Sequence, residues 1–204
     1  MRPGRTGRLV VCHLGNGCSA AAVVDGRAVA CTMGFTPLEG LVMGTRPGNV
    51  DPGILLDVLE RRGVTVPELR RTLQKESGLL GISGVSSDYR RVEAAADAGV
   101  QRAQLALDVY ANGVRSAIGS LSTTMGGLDA LVFTAGVGEN SARLRSTVCA
   151  KLAFLGVELD EAVNEGARPD AELSTAASRV GVLAVHTREN LMIARETRRL
   201  TRGK

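Results

Sequence analysis

The stretch VVCHLGNGCSAAAVVDGRAVACT, residues 10–32, decides how the chain folds. Its two glycines bracket Asn16 directly after an apolar run, as many phosphate-binding loops begin. A Walker loop continues into Gly-Lys-Ser/Thr at the start of a helix, and a dinucleotide loop needs G-x-G-x-x-G in the same position. Here the residues after Gly17 alternate like a strand and reach Asp25-Gly26, a pair suited to the positive φ angles of a two-residue turn. The pattern is strand, glycine loop, strand, turn, strand: an antiparallel meander carrying its loop at the first hairpin.

Beyond the meander, residues 33–50 are glycine-punctuated and fit neither the helical nor the strand period. DPGILLDVLERRG predicts a helix with Asp51 as N-cap, Pro52 at its first position and Gly63 as its stop, and VPELRRTLQKESG repeats the arrangement. GLLGISGVSSDYRRVEAAADAG reads as a loop, a Ser/Asp cap and a helix from about Asp88 to Gly99. The longest periodic segment, residues 100–125, places Leu107, Tyr110, Val114, Ile118 and Leu121 on one face, which predicts the main buried helix. LDALVFTAG predicts a strand leading into the turn GVGEN and a helix lined by Leu144, Val148, Leu152 and Leu155. A short strand near residues 156–159, a polar excursion to about Ser178, the strand RVGVLAVHT and a last helix from about Glu189 complete the pattern. No repeat or interdomain linker is visible, so the expectation is one α/β domain over residues 1–204, a mixed sheet with helices packed on it.

Composition narrows the function. Of 204 residues, 44% are hydrophobic and 23% charged, the balance of an ordinary globular protein. With no Trp, two Tyr and three Phe there are few platforms on which bases could stack, which argues against nucleic acid as a partner. The net charge of +4 comes largely from MRPGRTGR and ARETRRLTRGK at the two ends, expected to be solvated tails, and it suits a polyanionic substrate such as a nucleotide. The four cysteines, Cys12, Cys18, Cys31 and Cys149, have neither C-x-x-C spacing nor a partner histidine, and read as small hydrophobes in a reducing cytoplasm. No apolar run suggests a membrane span or a signal peptide, so the expectation is a cytoplasmic chain with no membrane partner.

Several stretches can carry chemistry. In His13, Leu14, Gly15, Asn16 and Gly17, glycines let backbone N–H groups converge on an anion, although a tight Asn-Gly turn accounts for the same residues. Gly136, Val137, Gly138, Glu139 and Asn140 follow a hydrophobic strand, where ligands of α/β sheets gather, and equally make a strand-to-helix turn capped by Asn140. Arg46, in the glycine-bounded loop GTRPG, is either a bidentate phosphate ligand or an exposed loop arginine. Asp88, Tyr89 and Arg90 are either a helix cap with surface charges or a clamp on a nucleoside. Glu189 is a candidate partner for Mg²⁺ through water, or a first-turn acid offsetting the helix dipole.

Taken in order, CHLGNGCSAAAV, MGFTPLEGLVMGTRPGNVDPG, SGLLGISGVSSDYR, QRAQLALDVY, DALVFTAGVGENS and ENLMIARET resemble the C-terminal half of acetate kinases over residues 8–200. The resemblance implies an actin-like, Hsc70-like ATPase (ribonuclease H-like) domain with a meander-first mixed sheet. It implies ATP/ADP and Mg²⁺ as cofactors, acetate or propionate as acceptor, and a homodimer. By the same resemblance, His13 through Gly17 form the phosphate loop, Asp88, Tyr89 and Arg90 line the nucleoside site, and Gly136 through Asn140 hold the adenosine end. Arg46 stands where the family has its transition-state arginine, and Glu189 where it has its magnesium-associated glutamate. This chain departs from the family pattern in Pro47, Asn49, Tyr89 and Asn190, while Arg46 and Glu189 remain. The family's N-terminal, acyl-binding domain is expected to be absent from this sequence. The reaction implied is phosphoryl transfer from ATP to acetate, with a non-catalytic ATP-binding and dimerisation module, or half of a propionate kinase, as alternatives.

Overall fold

The computed structural model describes residues 7–202. Most of the basic run MRPGRTGR therefore lies outside the described residues.

The meander forms as its sequence predicts. Strand β1 (Arg8–Leu14) pairs antiparallel with β2 (Cys18–Val24), which pairs antiparallel with β3 (Arg27–Cys31). Asp25 (φ 48°) and Gly26 (φ 79°) both adopt positive φ in the turn, the geometry for which Asp-Gly is suited. Alternation then does the sorting: Val10, Cys12 and Leu14 of β1 and Cys18, Ala20 and Ala22 of β2 are fully buried on one face. β1 also pairs in parallel with β4 (Ala130–Thr134), and β4 in parallel with β6 (Gly181–Ala184). The two-residue strand β5 (Ala171–Glu172) closes the edge, giving the order β3-β2-β1-β4-β6-β5. Every residue of β4 and β6 is buried, as expected of central parallel strands covered on both faces. A meander followed by parallel strands is the ribonuclease H-like arrangement expected from the sequence.

Helices α1 (Pro52–Arg61) and α2 (Val66–Arg71) start where their caps dictate. The Asp51 carboxylate accepts from Gly53 N, and Thr65 and Glu68 form a reciprocal capping box. A π-helical turn (Thr72–Glu76) continues α2. Next come α3 (Gly78–Ser83), α4 (Tyr89–Asp97) and the long α5 (Gln101–Thr124). The five apolar residues of the predicted α5 face are all buried and pack in the core with the strands. At about 1.5–3 kcal/mol for each side chain, they contribute on the order of 10 kcal/mol to the core. Helices α6 (Ala135–Asn140), α7 (Ala142–Cys149), α8 (Glu161–Gly166) and α9 (Glu189–Arg202) complete the fold. Residues 194–202 of the second basic run lie on α9, an exposed helix, rather than in a tail, and the last two residues of the run lie outside the described residues.

Four local expectations are corrected. GLLGIS is helix α3 rather than loop, despite its glycines, because the loop before it supplies acceptors for its first N–H groups: Leu79 N donates to Met43 O (2.8 Å) and Leu80 N to Gly44 O (3.0 Å). AGVGEN is itself the short helix α6. The polar excursion contains α8, capped by Asp160, and β5. Residues near 156–159 make only isolated bridges, Val157 to Val180 and Leu159 to Ser174.

Candidate functional site

The loop between β1 and β2 is drawn tight, with Gly15 N donating to Gly17 O (3.1 Å) and the Cys18 thiol to Gly15 O (3.2 Å). Cys18 Sγ also lies 2.9 Å from the Tyr110 hydroxyl, so the loop's base is anchored to α5. Burial pushes the Cys18 thiol up to about 11, leaving it a neutral hydrogen-bonding group. Tyr110 in turn packs against Tyr89, ring centroids 5.4 Å apart and tilted by 58°. One chain of contacts thus connects the glycine loop with the start of α4.

The segment carrying Arg46 wraps around the loop tip. Gly44 N donates to Asn16 O (2.9 Å), and a side chain at Gly44 would collide with Asn16 Oδ1. The Arg46 guanidinium lies over Gly17, where an added Cβ would come within 2.6 Å of Nη2, and Nη1 donates to Pro37 O (2.7 Å). A Cβ at Gly17 would therefore push the Arg46 guanidinium from its place over the loop. Asn49 takes its place in the same segment as a loop closer: its Oδ1 accepts from Gly40 N (2.9 Å) and its N–H donates to Gly40 O (3.0 Å).

A cleft of about 720 Å³ opens beside the loop. Its walls include Gly15 and Asn16 from the loop, Asp88, Tyr89 and Arg90 from the α4 start, and Gly136, Val137 and Asn140 from α6. Three separated motifs therefore converge on one space. Asn16 also lines a second cavity of about 460 Å³, shared with Arg46, Pro37 and Thr45, so it stands at the junction of the two. Another cavity of about 710 Å³ lies elsewhere, between the outward face of α5 and Cys31, Thr32, Gly40 and Asn49, and is lined by none of the residues that line the cleft.

Electrostatics at the cleft are set locally. The Arg90 guanidinium bonds both Asp88 oxygens (3.1 and 2.7 Å) and holds that carboxyl below its usual range. Asp88 also accepts from Arg90 N, so cap and clamp are one structure. Tyr89 is only 5% exposed, and burial pushes its hydroxyl up to about 12, so it presents a neutral ring. His13 and Glu189 face each other at the end of β1, Nε2 to Oε1 3.9 Å.

Not every residue singled out from the sequence has its side chain in the cleft. Leu14 is fully buried in the core. A Cβ on Gly138 would touch Phe133 and Cys12 O, so this glycine packs on the sheet. Glu139 is 8% exposed and points inward: Oε1 accepts from Ala135 N (3.0 Å) and Thr187 N (2.8 Å), and Oε2 lies 2.7 Å from His186 Nδ1. Burial opposes its charge, but the Thr187 and His186 hydrogen bonds prevail and hold its pKa below the usual value. Leu14, Gly138 and Glu139 are thus not among the residues that line the cleft, and they shape its wall from behind. Conversely, Leu79, Ser87, Glu93 and Ser141 line the cleft without having been singled out, although Ser87 and Ser141 sit inside the quoted motifs SSDYR and GENS.

Among the described residues there is no cluster of three or more His, Cys, Asp or Glu able to hold a metal by itself. Magnesium held chiefly by nucleotide phosphates and water requires only one or two carboxylates, and the exposed Glu189 meets that lesser requirement.

Comparison with known proteins agrees with this geometry. Residues 2–195 match the acetokinase family. The chain belongs to the acetokinase family. It is 53% identical over 189 residues to an acetate kinase of Gloeobacter violaceus, covering 93% of this chain and 47% of that protein. It is 50% identical over 202 residues to one from Heliobacterium modesticaldum, covering 99% and 51%. The chain thus spans about half the length of the curated relatives it matches. The solved acetate kinase of Porphyromonas gingivalis superposes with a TM-score of 0.92 at 42% identity, covering 97% of this chain and 50% of that one. A propionate kinase from Francisella tularensis superposes with a TM-score of 0.87, also at 42% identity, covering 93% and 48%. This acetokinase-family chain is therefore an α/β kinase-family protein with the fold of acetate and propionate kinases. No helix among its described residues is long and apolar enough to cross a membrane.

Proposed function

We propose that residues 1–204 form one domain that supplies the nucleotide-binding half of a cytoplasmic acetate kinase, in which ATP and acetate give ADP and acetyl phosphate. The observation that carries the proposal is the convergence of the glycine loop, the Asp88–Arg90 clamp and α6 on one cleft, with Asn16 shared between that cleft and the cavity of Arg46. In this reading Tyr89, Gly136, Val137 and Asn140 take the nucleoside, backbone N–H groups of residues 15–17 take the phosphates, and Arg46 stabilises charge on the transferring phosphoryl group. Glu189 would hold Mg²⁺ through water, and the ion when bound supplies neutralising charge at the phosphates. The Pro37 carbonyl keeps the Arg46 guanidinium aimed over Gly17, which makes Arg46 a fixed rather than a sweeping charge.

Phosphoryl transfer depends on positioning several groups at once. Among the described residues the cleft is lined by one cation, the Asp88-bound Arg90, and the adjoining cavity by two, Arg46 and Lys75, while the chain spans about half the length of the curated relatives. The purified chain is accordingly expected to form acetyl phosphate at a rate far below ordinary kinase turnover of about 1–100 per second. Hydroxamate detection with MgATP and acetate checks this, and turnover within that range would contradict it. Propionate as acceptor rests on the likeness to the Francisella protein. Homodimerisation fits the outward face of α5, where Leu105 is 53% and Val109 36% exposed.

A further inference from the structure

We infer that Arg145 is a positioning residue for the nucleotide cleft, holding α6 so that Gly136, Val137 and Asn140 form a fixed wall for the nucleoside. The inference rests on the nucleotide-binding reading above, and it concerns a residue that lies outside the cleft. Arg145 is 1% exposed. Its Nη1 donates to Gly138 O (2.9 Å) and Glu139 O (2.8 Å), its Nε to Asn164 Oδ1 (2.7 Å) and its Nη2 to Asn164 O (3.0 Å). All four acceptors are uncharged oxygens.

A guanidinium buried among neutral groups is costly, and burial pulls its pKa down, yet it stays protonated. An apolar side chain of similar length fills such a site at less desolvation cost. What an apolar side chain cannot do is bind carbonyls. Helix α6 has six residues, two of them glycine, and its last carbonyls have no partner within so short a helix. Arg145 supplies donors to two of them at once, in the planar fork a guanidinium provides. Asn164, itself 1% exposed, fixes the other edge of the fork, and its Nδ2 donates to Ala142 O (3.0 Å) and Ser146 Oγ (2.9 Å). At its other end, α6 is tied by Glu139 to Ala135 N and Thr187 N. The wall facing the cleft is thus gripped from behind at both ends, and Arg145 is the grip next to Asn140.

The test compares ATP with inorganic tripolyphosphate, which has the phosphates but no nucleoside, using calorimetry on the wild-type chain and Arg145→Lys. Lysine keeps the charge but cannot bridge two carbonyls and Asn164 together. ATP affinity is expected to fall about tenfold, the loss of roughly one charge-assisted hydrogen bond, while tripolyphosphate affinity stays within about twofold. Amide exchange in residues 136–140 should quicken, with the rest of the sheet unchanged. Leu173→Ala, a cavity beside β5 away from the cleft, gives the effect of plain destabilisation. If Arg145→Lys does not fold, Asn164→Ala removes one of the four acceptors and should show the same selective loss in smaller measure. Wild-type ATP affinity in a folded Arg145→Lys, or equal loss of both ligands as in Leu173→Ala, overturns the inference and leaves the nucleotide reading intact. A wild-type chain that binds tripolyphosphate but gains nothing from the nucleoside overturns both.

Discussion

Gly78→Ala is expected to destabilise the chain by about 3–5 kcal/mol, among the largest losses a single methyl group can cause. Gly78 adopts φ +63°, and a Cβ there would lie 2.2 Å from Met43 O, 2.7 Å from Arg46 O and 2.9 Å from Arg46 N. All three are backbone atoms, so no side chain can swing aside. The consequence reaches the site, because Leu79 N and Leu80 N bond to Met43 O and Gly44 O, and this contact fixes the segment that carries Arg46. Gly63→Ala is the control: its φ of +62° is nearly the same but nothing lies within 4 Å, so only the left-handed backbone cost of about 1–2 kcal/mol applies. In thermal unfolding, at about 2–4 °C per kcal/mol for a chain of this size, Gly78→Ala should fall by roughly 10 °C and Gly63→Ala by only a few. Equal shifts would show that backbone angle alone, rather than packing of α3 on the Arg46 segment, sets the cost.

Removing the Glu139 carboxylate should have the next largest effect. Glu139→Ala removes the carboxylate that accepts from Ala135 N in a buried setting and from the half-buried Thr187 N, and is expected to cost about 2–4 kcal/mol at neutral pH. Glu139→Gln should cost less than half as much, since the amide oxygen can still accept from Ala135 N and Thr187 N. The pH dependence follows from the sign of the shift. Folding lowers the Glu139 pKa below its reference value of 4.5, so its contribution is complete above that value and is lost as pH falls through the folded pKa. The stability gap between wild type and Glu139→Ala in urea titrations should therefore be constant from neutral pH to about 4.5 and narrow below it. A gap that is independent of pH would mean that the carboxylate contributes by packing and not by charge.

Most of the sheet was legible because each signal was local. Asp25-Gly26 specified its turn, and the α5 period specified its buried face. Helices α3 and α6 were not, since their glycines argue against helix by propensity and their stability comes from partners outside the helix itself, Met43 and Gly44 for one and Arg145 for the other. The site shows the same division. Motif order marked Asn16, Asp88 and Gly136 as candidates for a shared site, and the three residues line one cleft. Motif membership could not tell that Glu139 turns inward while Asn140 turns outward, which depends on the strand-end geometry at Ala135, held at φ +64°. Arg145 was hidden because its neighbours Leu144 and Val148 read as an ordinary amphipathic face, and nothing in the sequence marks an arginine as buried.

The central claim is that the glycine loop, the Asp88–Arg90 clamp and α6 make one nucleotide site in this chain. Calorimetric titration of the purified chain with MgATP and MgADP tests it most directly, with Asn16→Ala as the comparison. Saturable binding of one nucleotide per chain, with Kd of about 1 mM or tighter and weakened by Asn16→Ala, is the expected result. The absence of binding up to about 10 mM nucleotide, or binding that Asn16→Ala leaves unchanged, would contradict it.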